Sequence, residues 1–179
     1  MAGQASFIQV PTRQGPFAIL ADEQAVLASG WGDDVASLLA RVHPSLRPDE
    51  TIPVDPEERV PTSVLADAVD AVRAFDQGVD LTAVAAVPVQ AQASAFCLAA
   101  WRAMREIPVG AWVSYAELAD LAGRPGAARA AGGACGRNPT PLFVPCHRVL
   151  RADGSIGGFG YGTAVKQQLL DAEAAWAAR

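Results

Sequence analysis

Apolar residues near the start of the chain come in short runs with the length and composition of β-strands. Three such runs, SFIQVPT, GPFAILADE and AVLASGW, predict three strands. The polar residues Asp22, Glu23 and Gln24 separate the second run from the third and predict a hairpin between those two strands. The first part of the chain is therefore expected to form a small antiparallel sheet.

Helical spacing follows these strands. DVASLLARV predicts a short helix, and SVLADAVDAVRAF predicts a longer one because its apolar residues share one face. Those apolar residues are Leu65, Ala68, Val69, Val72 and Phe75. The Pro-, Asp- and Glu-rich stretch from His43 to Pro61 is expected to be an exposed loop, and VDLTAVAAV is expected to return as a strand.

After residue 94 the pattern is helical. AFCLAAWRAMREI predicts a helix that ends before Pro108 and Gly110. SYAELADLAG predicts another, with Ser114 and Glu117 at capping-box positions and Gly123 as its C-terminal stop. AARAAGGACG then predicts a short helix of very small residues. Two short helices joined by a glycine-containing turn are typical of a helix-turn-helix.

The segment PVQAQAS, residues 88–94, has the composition of a linker. It separates an N-terminal domain, residues 1–87, from a C-terminal domain, residues 95–179. The expected fold class is α/β in the broad sense and α+β more narrowly. A small antiparallel sheet with helices should precede a mainly helical domain that carries the helix-turn-helix. The last helix is expected to bury an apolar stripe, formed by Val165, Leu169, Ala172 and Trp176.

The composition argues against several classes of protein. The chain is 51% hydrophobic, yet no run approaches the ~18 apolar residues that a membrane span needs. Its three cysteines form no disulfide framework or metal-ligand spacing, and MAGQASFIQVPTRQ has no secretory signal pattern. These features predict a cytoplasmic protein with no metal site and no cofactor.

Charge is divided unevenly along the chain, which has a net charge of −5. Residues 1–93 carry five arginines and thirteen carboxylates, whereas residues 94–179 carry eight arginines, one lysine and six carboxylates. An anionic partner is therefore expected to bind the second half.

The stretch NPTPLFVPCHRVL places a cysteine beside a histidine. Its apolar run, residues 142–144, predicts a buried strand that Pro145 ends, which would present Cys146 at the strand terminus. Cys146 could be a small core residue, since free cysteine is commonly buried. Alternatively it is a nucleophile with His147 as its base. Adjacent strand residues point opposite ways, so a direct contact and a bridging water both stay open.

A nucleophilic cysteine would need a carboxylate to orient its histidine. Glu173 is the better candidate in the last helix because it borders the apolar stripe, while Asp171 lies further from it. Asn138 could hold the loop that precedes the cysteine. By spacing alone, such a Cys/His/acid set is weak support for catalysis.

The small-residue helix surrounds one long side chain, Arg129. Its other residues have almost no side-chain bulk, and they are Ala127, Ala128, Ala130, Ala131, Gly132 and Gly133. One interpretation is close helix packing. The other is a smooth helix that enters a narrow nucleic-acid groove and inserts Arg129 into the base stack, where arginine can stack and stay charged.

Two segments, IPVGAWVSYAELADLAGRPGAARAAGGACGRNPTPLFVPCHRVL and GGFGYGTAVKQQLLDAE, closely resemble the O6-alkylguanine-DNA alkyltransferase family. The PCHRV core is highly specific when ARAAGGA and NP precede it. The first half resembles the family's variable N-terminal domain only in layout. The resemblance implies single-turnover repair, in which a monomer transfers the alkyl group of O6-alkylguanine in double-stranded DNA to a cysteine. O4-alkylthymine is a second possible substrate.

The resemblance also implies roles for individual residues. Cys146 is similar to the alkyl acceptor, and Arg129 to the finger that replaces the extruded base. His147, Asn138 and Glu173 match the activating network, in which a water links the histidine to the thiol. The residues that match DNA contacts are Ala127, Ala128, Ala130, Ala131, Arg137 and Tyr115. Tyr115 also matches the tyrosine that assists extrusion and protonates the departing guanine.

The resemblance also covers the residues of the alkyl pocket, although three residues of this chain differ from the family's usual pattern. Residues at pocket positions are Pro141, Val149, Phe159, Gly160 and Tyr161. Gly160 would offer its backbone N–H to the guanine oxygen. Val109 and Phe159 stand where the family usually has tyrosine, and Tyr161 stands where a small residue is usual.

Three other functions fit parts of the pattern. A non-catalytic alkylguanine-DNA binding protein would lack the cysteine of PCHR, which this chain has. A cysteine hydrolase using Cys146, His147 and Glu173 leaves the smooth helix with Arg129 unexplained. A helix-turn-helix regulator would need polar base-reading side chains on its second helix, and that helix has almost none.

Overall fold

The computed structural model describes residues 3–56 and 63–179. Contacts between Cα atoms divide the chain into two compact units, residues 1–92 and 93–179. The α+β class is confirmed, since a four-stranded sheet and helices make up the first unit and helices dominate the second.

The described residues of the first unit form four strands and three helices. They are β1 (Gln4–Val10), β2 (Phe17–Ala21), β3 (Val26–Trp31), α1 (Val35–Arg41), β4 (Glu50–Pro53), α2 (Val64–Asp76) and α3 (Ala83–Ala86), with a 3₁₀ turn at Pro44–Leu46. The strand order is β3-β2-β1-β4. Every residue of β2 and β3 is buried, because both α1 and α2 pack on these two strands.

The predicted hairpin is confirmed, but the predicted sheet is wrong at one edge. β2 and β3 pair antiparallel, whereas β4 joins β1 in parallel, with Gln4 opposite Glu50. The sheet is therefore mixed rather than antiparallel. β4 lies in the stretch expected to be a loop, and residues 57–61 of that stretch lie outside the described residues. Its composition concealed the strand because β4 is a short, largely exposed edge strand.

The segment expected to return as a strand is instead helical. Alanine favours the helix over the strand, and α3 consists of AVAA. Before it, a carboxylate oxygen of Asp80 accepts hydrogen bonds from the backbone N–H and hydroxyl of Thr82, which closes a turn. The next residues of the expected linker pair with β3, because Val26 N–H donates to Pro88 and Gln90 N–H donates to Val26.

The second unit contains four helices and two very short strands. They are α4 (Ala95–Arg105), β5 (Val113–Ser114), α5 (Tyr115–Leu121), α6 (Ala128–Gly136), β6 (Val149–Leu150) and α7 (Thr163–Ala177). The predicted capping box of α5 is confirmed: Ser114 N–H donates to Glu117 Oε2 at 2.7 Å, and Glu117 N–H donates to Ser114 Oγ at 3.2 Å. Gly123 ends α5 with φ of 76°.

Two expectations about buried segments need correction. Residues 142–144 are buried but form a tight turn, with Leu142 at φ of 75°, rather than a strand. On α7 the most buried residues are Lys166, Leu169 and Glu173, whereas Val165, Ala172 and Trp176 are only half-buried. The buried face of α7 is thus rotated from the apolar stripe because two charged side chains find partners inside the unit.

Among the described residues, no helix combines the length and apolar character required to cross a membrane.

Candidate functional site

Cys146 begins a 3₁₀ turn, Cys146–Arg148, that connects the buried 142–144 turn to β6. Its side chain is buried, with 6% of the residue exposed. Since Cys146 and His147 lie on a helical turn rather than on a strand, the expectation that they point to opposite faces does not apply. The turn instead fixes three consecutive polar or reactive side chains inside the unit.

Asn138 holds the backbone that leads to the cysteine. Its side-chain Nδ2 donates to the carbonyl of Val144 at 2.8 Å, and its Oδ1 accepts from the N–H of Thr140 at 3.1 Å. Both bonds are buried, so each stabilises the tight turn strongly. This is the loop-holding role that the sequence suggested for Asn138.

A buried histidine–glutamate pair lies directly after the cysteine. His147 Nε2 is 2.6 Å from Glu173 Oε1, and both side chains are almost completely buried. Glu173 also accepts from Arg148 Nε at 3.0 and 2.9 Å, and from the N–H of Gly110 at 3.2 Å. The structure therefore brings the predicted carboxylate to the predicted histidine, whereas Asp171 is exposed.

The charge of Glu173 determines which histidine tautomer is present. Burial alone would raise the pKa of Glu173, but hydrogen bonds and charge from His147 and Arg148 outweigh it and lower the pKa to about 2. An ionised carboxylate only accepts hydrogen bonds, so Nε2 of His147 carries the proton. Nδ1 is then a lone-pair acceptor, and it is buried without a hydrogen-bond partner among the described residues.

The cysteine and the histidine are both held in their neutral forms. Burial raises the pKa of the Cys146 thiol, which a hydrogen bond with Asn138 and the charge of Lys166 oppose only in part. Burial likewise lowers the pKa of His147, against the effect of Glu173. A protonated thiol beside a neutral histidine is a proton donor beside a proton acceptor.

Two charged residues of this site were missed by sequence reasoning. Arg148 is 4% exposed and donates through Nη1 to the carbonyl of Ile107 at 2.6 Å, in addition to its bonds with Glu173. Lys166 is 1% exposed and donates through Nζ to the carbonyls of Val149 at 2.7 Å and Gly158 at 3.3 Å. The position of Arg148 next to His147 in the motif could have indicated that it belongs to the site. No feature of the sequence indicates that Lys166 does.

Tyr115 begins α5 and lies against two glycines. A Cβ atom built on Gly132 would be 3.8 Å from the Tyr115 ring, and one built on Gly157 would be 3.0 Å from its hydroxyl. Only glycine leaves room for the hydroxyl at position 157. Burial raises the pKa of Tyr115, as do the nearby thiols of Cys135 and Cys146. The phenol is therefore protonated at neutral pH, close to the thiol of Cys146.

The small-residue helix α6 packs against both α4 and α5. Ala131 and Ala134 are buried, and Trp101 Nε1 donates to the carbonyl of Ala134 at 2.9 Å. Arg129 is exposed. The other predicted DNA-contact alanines, Ala127, Ala128 and Ala130, are half-buried. The close-packing interpretation is confirmed for one face of this helix, and Arg129 is exposed outside that face, so its insertion into a base stack stays a prediction.

Arg137 was expected to contact DNA, and the structure gives its guanidinium a partner within the unit. Nη2 lies 3.4 Å from Cys97 Sγ, and a Cβ atom on Gly133 would be 3.2 Å from the guanidinium. Burial alone would raise the pKa of Cys97, but hydrogen bonds with Ser94 and Arg137 outweigh it and lower the pKa.

The predicted pocket residues lie on both sides of the cysteine turn. Pro141 and Val149 are buried, whereas Gly160 is exposed. Phe159 and Tyr161 pack edge to face, with ring centroids 5.8 Å apart and planes at 65°. Lys166 connects two of these segments, because it bonds the carbonyls of Val149 and Gly158.

Known proteins resemble this chain in sequence. Residues 95–175 match the model of the family described as 6-O-methylguanine DNA methyltransferase, DNA binding domain. The regulatory protein ada of Salmonella typhimurium is 36% identical over 155 residues, which is 85% of this chain and 40% of that protein. The methylated-DNA–protein-cysteine methyltransferase of Mycolicibacterium paratuberculosis is 46% identical over 87 residues, 49% of this chain and 53% of that protein.

Solved structures extend the similarity over both units. The Mycobacterium tuberculosis O6-methylguanine methyltransferase matches with a TM-score of 0.74 and 28% identity, over 96% of this chain and 93% of that one. The same organism's OGT in complex with DNA matches with a TM-score of 0.75 and 28% identity, over 96% and 94% of the two chains. The chain spans between 25% and 53% of the length of the curated relatives it matches. The matched domain and the PCHRV motif show that residues 95–175 form a domain of the O6-alkylguanine-DNA alkyltransferase family, also called the methylated-DNA–protein-cysteine methyltransferase family, and the solved structures extend the likeness in fold over both units.

Proposed function

We propose that this protein repairs DNA by transferring an alkyl group from O6 of guanine to the sulfur of Cys146, once per protein molecule. The observation that carries the proposal is the buried thiol followed in sequence by a neutral histidine, whose Nε2 is fixed by Glu173 at 2.6 Å. Such an arrangement generates a thiolate only when a proton can move to Nδ1 of His147. It suits one controlled displacement in a site that is largely shielded from bulk solvent.

DNA recognition is assigned to α6. Its small residues let the helix approach the floor of a groove, and exposed Arg129 would fill the space left by an extruded nucleotide. Extrusion is required because O6 of a paired guanine lies inside the duplex, and a buried thiol cannot reach it there. Tyr115, beside the thiol, would support the rotated backbone. Arg137 stays a predicted DNA contact, which would have to leave Cys97 or bind DNA with its remaining donors.

The chemical step is a displacement at the alkyl carbon. The proton of Cys146 would pass through a water to Nδ1 of His147, and Glu173 would stabilise the resulting imidazolium. The thiolate then forms the S–C bond while the C–O6 bond breaks. The departing guanine takes a proton from Tyr115, and the backbone N–H of Gly160 would donate to its oxygen. A thioether has no simple route back to a thiol, so each molecule would act once.

A cysteine hydrolase is disfavoured by the surroundings of the thiol. A hydrolase must admit water to attack its covalent intermediate, whereas Cys146 is 6% exposed and His147 is completely buried. A hydrolase also has no use for a smooth helix with an exposed Arg129. A DNA-binding protein without transfer activity has no use for the buried relay of His147 and Glu173.

We also propose that the protein acts as a cytoplasmic monomer on double-stranded DNA that contains O6-alkylguanine. All three cysteines are free, as expected for a reducing compartment. The large exposed apolar side chains of the described residues lie on different elements: Ile52, Val79, Trp112 and Leu121. Light scattering tests the monomer directly.

Mass spectrometry of the protein after incubation with duplex DNA containing O6-methylguanine tests the transfer. The expected result is a gain of one methyl group, located by peptide mapping on Cys146. Cys135→Ala is the matched cysteine control and should gain the same methyl group, whereas Cys146→Ala should gain none. A methyl group on another residue, or no gain in mass, would overturn the proposal.

A further inference from the structure

Arg151 follows β6 directly, and the pairing of β6 with β5 determines where it lies. The two strands are parallel, with Val113 opposite Val149 and Ser114 opposite Leu150. Tyr115 and Arg151 are the residues that directly follow this pairing, so both leave it at the same end. The pairing that positions the proposed proton donor therefore positions an arginine next to it.

Gly157 shows how closely the two side chains converge. A Cβ atom built on this glycine would be 3.0 Å from the Tyr115 hydroxyl and 3.7 Å from Cγ of Arg151. The stem of Arg151 and the phenol thus flank a single backbone position. The charge of Arg151 also lowers the pKa of Tyr115, although burial, the largest influence, raises it.

The loop that begins with Arg151 is closed by its own hydrogen bonds. Arg151 N–H donates to the carbonyl of Ser155 at 3.0 Å, and Gly154 N–H donates to the carbonyl of Arg151 at 2.9 Å. The nearby carboxylate of Asp153 accepts from the N–H and hydroxyl of Ser155, at 3.0 and 2.6 Å. The backbone of Arg151 is therefore fixed, and Asp153 is already engaged within the turn.

The guanidinium itself is available. Arg151 is exposed, and within the described part of the chain its side chain makes no hydrogen bond or ion pair. By contrast, Arg148, Arg41 and Arg13 each have a carboxylate partner. An exposed arginine on a fixed backbone, beside the group that meets the flipped base, suits a phosphate because its planar fork matches phosphate oxygens.

We propose that Arg151 binds the DNA phosphate next to the flipped nucleotide and holds that nucleotide against Tyr115 while the alkyl group is transferred. This inference rests on the proposed function. It makes Arg151 a positioning residue for duplex DNA, distinct from Arg129, which acts on the space inside the base stack. A free alkylated base has no phosphate and gains nothing from Arg151.

Arg151→Gln tests the inference, with Arg102→Gln as the control for loss of one exposed positive charge in the same unit. The rates of methyl transfer to Cys146 would be measured with an O6-methylguanine duplex and with free O6-methylguanine. We expect the ratio of the duplex rate to the free-base rate to fall roughly tenfold in Arg151→Gln, as for one charge-assisted hydrogen bond. The logarithmic salt slope of duplex affinity should become shallower by about 0.9. Arg151→Lys should recover most of the slope and part of the rate.

The outcomes separate this inference from the proposed function. If the unmodified protein gains no methyl group on Cys146, the proposed function fails, and this inference fails with it. If it gains one and Arg151→Gln keeps the ratio of the unmodified protein, the role of Arg151 alone is overturned. Equal losses in Arg102→Gln would also overturn it, because the effect would then be one of general charge.

Discussion

The interiors of the two units differ in how many polar side chains they bury. Among the described residues, the first unit buries one polar side chain, Ser29, whereas the second buries seven, four of which are the ionisable side chains His147, Arg148, Lys166 and Glu173. Burying ionisable groups costs free energy that apolar residues of similar volume would not. The first unit has the interior expected of a stable sheet domain, whereas the buried charged groups of the candidate site reduce the stability of the second.

The two halves of the chain also differ in net charge. The acidic first half contrasts with a second half in which positive residues exceed carboxylates, and Arg129 and Arg151 are both exposed there. An acidic first unit makes little electrostatic contribution to binding a polyanion. We therefore expect different substitutions in the second unit to affect methyl transfer, stability and DNA binding separately.

Cys146→Ala should have the largest effect and abolish methyl transfer. The proposed nucleophile is lost, while Arg129 and Tyr115, in their proposed roles, would still bind and extrude the nucleotide. We expect affinity for O6-methylguanine duplex, measured by fluorescence anisotropy, to stay within about threefold, or about 0.6 kcal/mol. A variant that still moved the methyl group would show that another residue is the acceptor.

Glu173→Gln should have the next largest effect, on stability as well as on transfer. It leaves Arg148 buried without its carboxylate, and removing one partner of a buried ion pair typically costs about 3–5 kcal/mol. Asp171→Asn, an exposed neighbour on α7, is the matched control and should cost under about 0.5 kcal/mol. Urea unfolding measures both. Similar losses in the two variants would mean that the buried pair contributes nothing special.

The pH dependence of stability tests the same pair without a substitution. The pKa of Glu173 lies at about 2 in the folded protein against 4.5 for an ordinary glutamate. Its stabilising contribution is therefore full above pH 4.5 and is lost as the pH falls towards 2. The free energy of unfolding should drop across this window, and it should drop less in Glu173→Gln. Parallel pH curves for both proteins would contradict the assignment.

These buried charges also show what the sequence could and could not predict. β1, β2, β3, α1, α2 and the helices of the second unit follow periodic apolar patterns and caps that the chain carries locally. Lys166 could not be found in this way, because its burial depends on the carbonyls of Val149 and Gly158, which lie 17 and 8 residues before it and outside its helix. The predicted apolar stripe on α7 was misplaced for the same reason.

The predictions for three other segments were wrong for a second reason, because the local sequence of each fits more than one structure. The apolar run at 142–144 was equally compatible with a buried strand and a buried turn, and the side chain of Asn138 decides for the turn. β4 and α3 are short, so neither has enough residues for its period to be visible. The cysteine, its histidine, Glu173, Tyr115 and Arg129 were all named from the sequence, chiefly through the family motif, and their roles stay predictions.

Arg129→Ala should affect duplex substrates selectively. A free base needs no extrusion, so only the duplex reaction would use Arg129 in its proposed role. We expect the duplex rate to fall roughly 10- to 100-fold, the scale of a few kcal/mol of unstacking, with little change for free O6-methylguanine. Stopped reactions on both substrates would be compared. Equal losses would assign Arg129 a structural role in α6.

Tyr161→Gly should have the smallest and most substrate-dependent effect. The ring of Tyr161 packs edge to face on Phe159 at the pocket, where it would crowd a large alkyl group. Overfilling a packed site costs about 1–3 kcal/mol, or ~5- to 150-fold in rate. The variant should react faster with O6-benzylguanine and hardly differ in methyl repair. Equal rates for both groups in the unmodified protein, unchanged by the substitution, would remove Tyr161 as a determinant of substrate size.

The number of methyl groups transferred per protein molecule tests the central claim most directly, that the buried site of the second unit performs one irreversible displacement onto Cys146. Increasing amounts of O6-methylguanine duplex would be added to a fixed amount of protein, and restored guanine would be counted after prolonged incubation. We expect a plateau at one restored guanine per active molecule. Restoration that continued beyond that plateau would contradict it, because the site would then regenerate its thiol, and so would a complete absence of restored guanine.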